Sequence, residues 1–274
     1  MSPLRAPGKL VFAKSYTRWT VSPRYVGAAV SDADAQTYLR AVEAADGQAL
    51  ELGVQQAVNQ FVLGCKADGT WTAIKASCIL AGARTLAGAL VPLVGTAPTN
   101  NNFVSGDYNR KTGLVGDGTT KYLNSNATTG AGYWSQNANH VAVFVSSAAT
   151  TTTGLYAGSS SYVDLGKNGT SMQFTNYTVT SDASTNQGSA TGFVGMSRSS
   201  SSTFSGRVAS ITATFTRTSA SNTQQAMFLF GRNFTPQYLA NARLSFYSIG
   251  ENLDLALLDT RVTALMSALT AAIP

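Results

Sequence analysis

Charge is scarce in this chain. Only 12% of its 274 residues are Asp, Glu, Lys or Arg, about half the roughly 25% of an ordinary soluble domain. Glutamate is rarer still: Glu43, Glu51 and Glu251 are the three copies. Two fall on predicted helices and the third at a helix start. No predicted strand therefore carries the facing carboxylates, roughly 5–9 Å apart, that glycoside hydrolysis requires. His140 is the single histidine. It begins a strand and reads as a structural or solvent-exposed residue, since one imidazole builds no zinc site without cysteines or carboxylates beside it. No Gly-x-Ser-x-Gly elbow surrounds a serine. The sequence predicts no catalytic residue, no metal site and no cofactor.

The remaining absences narrow the class further. Two cysteines, Cys65 and Cys78, make no disulfide framework in a chain of this length. They either close one modest loop or stay as two buried thiols, and buried thiols are expected. No run of eighteen apolar residues is present, so membrane insertion is not expected. The first fourteen residues are basic but lack the long apolar core and cleavage site of a signal peptide. Net charge is +6, yet Arg5, Lys9, Lys14, Arg18 and Arg24 all precede the first acid, Asp32. Later basic residues are isolated, and no RNA-reading aromatic motif, zinc-finger spacing or basic helix appears. Nucleic acid is not an expected partner. Residues 1–30 read as a basic arm that docks on an acidic protein surface or is solvated.

What the chain does have is hydroxyls and alternation. In residues 207–217, Ala209, Ile211, Ala213 and Phe215 fall on one side, and Ser210, Thr212, Thr214 and Thr216 on the other. That period of two predicts one long strand with an apolar and a hydroxyl-bearing face. Shorter versions recur at residues 171–179, 192–198, 226–230 and 242–249. Residues 140–145 are apolar on both faces and predict a central strand. Ser/Thr tracts at 148–153 and 199–203 read as loops. Many short strands with turn signals every ten or so residues suggest a sandwich. A neutral hydroxyl surface does little to keep monomers apart, so a homo-oligomer is expected.

Helices flank this region. Ser31 to Asp34 resembles a capping box and opens a helix to about Ala45, which Asp46-Gly47 ends. In a second helix Leu50, Val54, Ala57 and Phe61 share a face, and Gly64 with Asp68-Gly69 stops it. A short buried strand follows at residues 77–80, then a Gly/Ala-rich link through Pro92 and Pro98. Asn252 or Asp254 starts a last helix, where Leu255, Leu258, Val262, Leu265 and Leu269 form a seam. This seam packs on the chain's own helices or sheet, or on another subunit. The division is residues 1–30 (arm), 31–98 (helical segment), 99–250 (sandwich) and 251–274 (C-terminal helix).

Binding candidates are few. Asp107 with Gly116-Asp117-Gly118 offers clustered oxygens of the kind calcium takes, or simply a tight turn. Gly113 to Gly116 lacks the Lys-Ser/Thr and the helix of a phosphate loop. Tyr133, Trp134, Tyr156, Tyr162 and Tyr177 lie near loop-rich segments. Rings beside amides and hydroxyls suit sugars, whose C–H faces stack on them. The same rings also suit core or rim packing.

Three segments carry a resemblance. Lys66-Ala67-Asp68-Gly69-Thr70-Trp71 has a Lys-x-Asp-Gly-x-Trp pattern at a helix end. Gly116-Asp117-Gly118-Thr119 leads to Tyr122, and Arg243-Leu244 leads through Tyr247-Ser248-Ile249-Gly250 to the last helix. Over residues 33–274 the sequence resembles phage virion proteins that carry a concanavalin A-like, LamG-like jelly-roll domain. The resemblance implies a mainly β, concanavalin-like jelly-roll β-sandwich in a virion structural protein, commonly among tail or fibre components. It transfers no catalytic residue, and the calcium and sugar ligands of lectins have no matching motif here. The expectation is a non-enzymatic protein located in the virion. Other virion proteins are its partners, with host cell-surface polysaccharide as a further one and a trimer expected by analogy. The alternatives are a capsid decoration protein, a host-glycan-binding module, and a polysaccharide-degrading enzyme acting through Asp107, Asp117 or Asp164.

Overall fold

The computed structural model describes residues 30–128, 132–159, 163–178, 182–184, 186–220, 225–234 and 236–274. The arm candidates Arg5, Lys9, Lys14, Arg18 and Arg24, and Tyr162, lie outside the described residues.

Helix α1 (Ala33–Asp46) begins where Asp32 accepts hydrogen bonds from the amides of Asp34 at 2.9 Å and Ala35 at 3.2 Å. This satisfies two of the donors that a helix start leaves open. Gly47 ends it in the left-handed region, at φ 69°. Helix α2 (Leu52–Ala67) runs through Gly64, where the sequence suggested a stop. The missing side chain at Gly64 makes room for the Arg261 guanidinium, which reaches past it to Asp68 at 2.7 and 2.8 Å. A short α3 (Leu86–Ala89) follows. Helix α4 (Leu255–Ala272) is capped by Asp254, and all five seam residues are buried. The seam packs on α2 and the adjacent sheet, so it serves the chain's own core.

The first strands are β1 (Ile74–Ile79), β2 (Thr99–Asn101), β3 (Tyr108–Asn109), β4 (Gly113–Val115) and β5 (Tyr122–Thr128). Next come β6 (Asn139–Ser147), β7 (Thr153–Ser159), β8 (Val163–Asn168), β9 (Ser171–Asn176) and β10 (Asp182–Ser184). The last are β11 (Gly192–Arg198), β12 (Thr203–Val208), β13 (Ile211–Thr216), β14 (Ala226–Leu229), β15 (Arg232–Asn233) and β16 (Arg243–Gly250). One sheet has the order β13-β12-β11-β6-β16-β4-β3, with β1 also on β16; the other is β10-β9-β8-β7-β14-β5-β2, with β15 on β7. The chain crosses between sheets after β1, β2, β4, β5, β6, β10, β13 and β15. This is a mainly β, antiparallel jelly-roll sandwich with a C-terminal helix.

Three layers result. Val141, Val143 and Val145 of β6 point between the sheets, with Leu165, Phe174 and Leu229 opposite. Ala142, Phe193 and Phe246 point the other way, under α1, α2 and α4. A strand buried on both faces reads as a continuous apolar run, which is why residues 140–145 lack alternation. Phe61 of α2 meets Phe246 of β16 edge-on at 5.6 Å, a contact worth about 1 kcal/mol beyond its buried area.

The long strand expected over residues 207–217 is instead a hairpin. Ala209 and Ser210 sit at φ 48° and 62° and form the two-residue turn between Val208 and Ile211. Two successive positive φ values give the turn whose twist matches its strands. The facing parity shifts by one across the turn, from Val208 to Ile211, but Ala209 and Ser210 themselves carry on the apolar–hydroxyl alternation of β13, so the sequence reads as one strand.

Candidate binding surfaces

Of the aromatic residues singled out as a glycan platform, the four that are described do not form one. Trp134, Tyr156 and Tyr177 are 4%, 0% and 2% exposed. The Trp134 indole N–H donates to the Tyr177 hydroxyl at 2.8 Å, so those two satisfy each other, and all three fill the sandwich. Tyr133 is half-buried and packs edge-on against Trp134. A buried ring has no face left to stack on a sugar, and burial gains more than exposure for a group this large.

Polar candidates prove to be internal fasteners. His140 is fully buried; its Nδ1 lies 2.5 Å from the Glu251 carbonyl and its Nε2 2.7 Å from the Ser248 hydroxyl. A carbonyl only accepts, so Nδ1 carries the proton and Nε2 accepts from Ser248. Burial lowers the imidazole pKa to about 4, against a smaller upward pull from the Glu251 carbonyl. Asp117 accepts from the amides of Thr119, Thr120 and Lys121 and from the Thr120 hydroxyl. Partial burial raises its pKa, but these bonds outweigh that and hold it well below the usual carboxylate range. Asp107 pairs with Lys121 at 2.6 Å. Of calcium ligand and tight turn, the geometry is that of the turn. Cys65 and Cys78 are two buried free thiols, as expected, and burial raises both to about 12.

The other carboxylates follow the same rule. Asp32 and Asp34 hold Lys66, Glu51 holds Arg110 and Arg84, and Asp259 holds Arg207. Asp46 accepts from the amides of Arg84 and Thr85. On the outer face of the second sheet Asp164, buried, takes Arg232 side-on through Nε at 2.9 Å and through Nη2. Burial raises the Asp164 carboxyl against the lowering effect of Arg232. Asp107 and Asp117 thus meet at Lys121, and Asp164 is a fastening apart from them.

Two open surfaces among the described residues present aromatic rings. A cleft of about 530 Å³ lies between α1, the start of β1 and residues 91–94, with Trp71, Asp34, Thr37 and Lys75 on its walls. The Lys66-to-Trp71 segment builds it: Thr70 caps the end of α2 on the Cys65 carbonyl, and Trp71 donates to Asp34 at 3.1 Å with the Lys66 ammonium 5.7 Å over its ring. The second surface is a strap, residues 231–234 and 236–238, with Arg232 against Gly158 and paired to Asp164. It carries Phe234, 58% exposed, and Tyr238, 47% exposed, the latter at φ 53° with Arg232 over its ring. Sequence reasoning missed both rings. Their signal is two aromatics bracketing Pro236 in an otherwise polar stretch.

No family model matches the chain, and no curated protein matches it. Among solved structures it is similar to the binding domain of botulinum neurotoxin serotype D, with a TM-score of 0.45 and 10% identity over 70% of this chain and 51% of that one. It is also similar to domains LG4-5 of the mouse laminin alpha1 chain, with a TM-score of 0.33 and 11% identity over 60% and 47%. The chain spans about half the length of each.

Proposed function

We propose that this chain is a non-enzymatic bacteriophage virion protein, a lectin-like module of the tail or fibre apparatus that aids adsorption to the host. The observation that carries the reading is the use made of its scarce charge. Asp32, Asp34, Asp46, Glu51, Asp68, Asp107, Asp164 and Asp259 are all tied to basic side chains or backbone amides within the fold. Groups locked in ion pairs and caps are poor general acids or bases, whose pKa must sit near the working pH. The face of β13 that carries Thr212, Thr214 and Thr216 is exposed and hydroxyl-bearing, suited to contact. Two of the segments that resemble the phage group support the same reading, because each is a joint. Lys66 to Trp71 joins α2 to α1 and, through Asp68–Arg261, to α4. Residues 243–250 form β16, which lies between the two cores.

Mass spectrometry of purified particles of the phage that encodes the chain, with antibody labelling to locate it, tests this. The chain is expected among the virion proteins and at the tail. Labelling over the head would make it a decoration protein, and absence from particles would refute the reading.

The exposed rings Phe234 and Tyr238 favour a second reading, recognition of host glycan. Paired exposed aromatics beside an amide such as Gln237 suit the C–H face of a pyranose. Host polysaccharide titrated against the wild-type chain and the double Phe234→Ala, Tyr238→Ala variant decides it. Equal or absent binding by both would end that reading.

A further inference from the structure

Among the described residues the two sheets end in four strands, and three of them are blunted. β3 has two residues, β2 three and β10 three. β1, which also lies on β16, is covered by residues 93–94 through bonds at Ser77. The fourth, β13, is six residues long and reads Ile-Thr-Ala-Thr-Phe-Thr. It contains no charge, proline or glycine. Natural sheets protect long edges with such residues, with bulges or with brevity, because an open row of N–H and C=O groups templates another strand. β13 has none of these devices, and its register against β12 runs without a shift from Val208–Ile211 to Thr203–Thr216.

The pairing defines what the edge offers. A two-residue turn makes Val208 and Ile211 a hydrogen-bonded pair, and bonded pairs then alternate along an antiparallel ladder. Ala213 and Phe215 therefore turn their backbone groups to β12, while Thr212, Thr214 and Thr216 turn theirs outward. All three threonines are exposed, and Ile211 is 61% exposed.

We propose that β13 pairs antiparallel with β13 of a second copy, joining two sheets across a two-fold axis. The pattern is self-complementary. Outward backbone groups belong only to residues 212, 214 and 216, so any bonded register matches even-numbered residues with even-numbered ones. Threonine then always faces threonine, and the Ile211, Ala213 and Phe215 side always faces its own kind. Cross-strand Thr pairs and aromatic–aliphatic pairs are both favourable. On the apolar side Phe215 already packs at 5.0 Å on Phe204 and 5.9 Å on Phe174, so pairing extends the inter-sheet core and covers Ile211. On the other side Arg207 bonds both the Thr212 hydroxyl and Asp259 of α4, which brings the helix layer to the edge. An isologous contact of this kind gives dimers, or assemblies built from dimers, in place of the trimer expected by analogy. The pairing concerns the free chain and is independent of the virion reading.

Sedimentation velocity of the full chain from low to high micromolar concentration tests it. The wild type is expected to sediment at twice the chain mass. Thr214→Pro removes an outward N–H that β12 does not use and places a ring on the edge. It is expected to leave the melting temperature close to wild type and to give a monomer. Thr214→Val, which keeps the N–H, remains a dimer. If the proline variant fails to fold, Thr214→Lys serves the same purpose by charging the edge. A wild type monomeric throughout the range overturns the proposal, as does a folded Pro or Lys variant that keeps the wild-type assembly.

Discussion

Truncating Arg232 tests whether the buried carboxylates hold this structure together. Asp164 is 4% exposed at its side chain and its bidentate partner Arg232 26%. Arg232→Ala leaves a carboxylate on the covered face of a sheet with no countercharge, a change that typically costs about 3–5 kcal/mol. Arg232 is partly open to solvent, so water enters the space it vacates, and about 3 kcal/mol is the expectation. At roughly 2–4 °C per kcal/mol for a domain of this size, that is a fall of about 6–12 °C in melting temperature near pH 7.

The pH dependence separates this cause from lost packing. Burial already raises the Asp164 carboxyl despite Arg232, and removing the guanidinium raises it further. A folded-state pKa above the unfolded value means that the native state binds the proton more tightly. Stability therefore falls as pH rises through that window and recovers as pH falls back towards about 4. The deficit of the variant relative to wild type is expected to shrink on acidification, and comparison at each pH cancels every other titrating group. Urea unfolding near pH 7 and near pH 4 measures it. A deficit under about 1 kcal/mol near neutrality, or one that does not change with pH, refutes the reasoning. The double variant Asp164→Asn, Arg232→Ala is expected to recover part of the loss, because no charge is then stranded.

Three further outcomes follow from the same chemistry. The His140 pKa of about 4 lies below its unfolded value of about 6.5, so its contribution is complete above that value and is lost as pH falls through the interval. The full change is on the order of 3 kcal/mol, and in His140→Gln the unfolding free energy should lose that slope. Asn59, buried on α2, accepts the amides of Ser31 and Asp32 through one oxygen, both at 3.0 Å. Asn59→Ala is expected to cost about 1–3 kcal/mol, with faster hydrogen exchange at those amides than in the sheets. Asp254→Ala uncaps α4 and is expected to cost about 1 kcal/mol in a urea titration, while Asp254→Asn stays near wild type.

The elements with strong local signals were legible. Asp32 before an apolar stripe, Gly47 after it, and Asp254 before the leucine seam mark the ends of α1 and α4 where the structure has them. β11 spans residues 192–198 as the alternation indicated. Strands β5, β7, β8 and β12 escaped, and their composition explains it. Asn124, Ser125, Gly154, Gly158 and Gly166 sit within them, residues that local statistics assign to turns. They are strands because neighbouring strands supply the hydrogen bonds, which is tertiary information. The 209–210 turn was hidden for the opposite reason: Ala209 and Ser210 extend the apolar–hydroxyl pattern of β13, and neither residue is the glycine or asparagine that usually marks such a turn.

The site residues failed on another count, because sequence lists which rings exist but not which are exposed. Tyr156 and Tyr177 lie near serine and threonine along the chain, yet they face across the sandwich, whereas Phe234 and Tyr238 ride on a strap held by contacts distant in sequence, among them the Asp164–Arg232 pair and the bond from the Leu155 amide to the Tyr238 carbonyl. Arg198 makes the same point. It is fully buried, and its guanidinium donates to the carbonyls of Asn176, Ser200, Thr203 and Arg217. Nothing local distinguishes it from a surface arginine, but it binds the end of β9 to the loop before β12.

These placements share one cause. A chain with so few charges must spend most of them inside its own joints, since a buried polar group without a partner is expensive. Arg198, Arg207, Arg232 and Arg261 each tie one layer or loop to another, and few remain to solvate edges or repel neighbours. The unguarded β13 and the neutral faces are therefore consequences of the same economy. Adding lysines to the hydroxyl face should raise solubility and lower self-association together, because both now depend on the same missing charge.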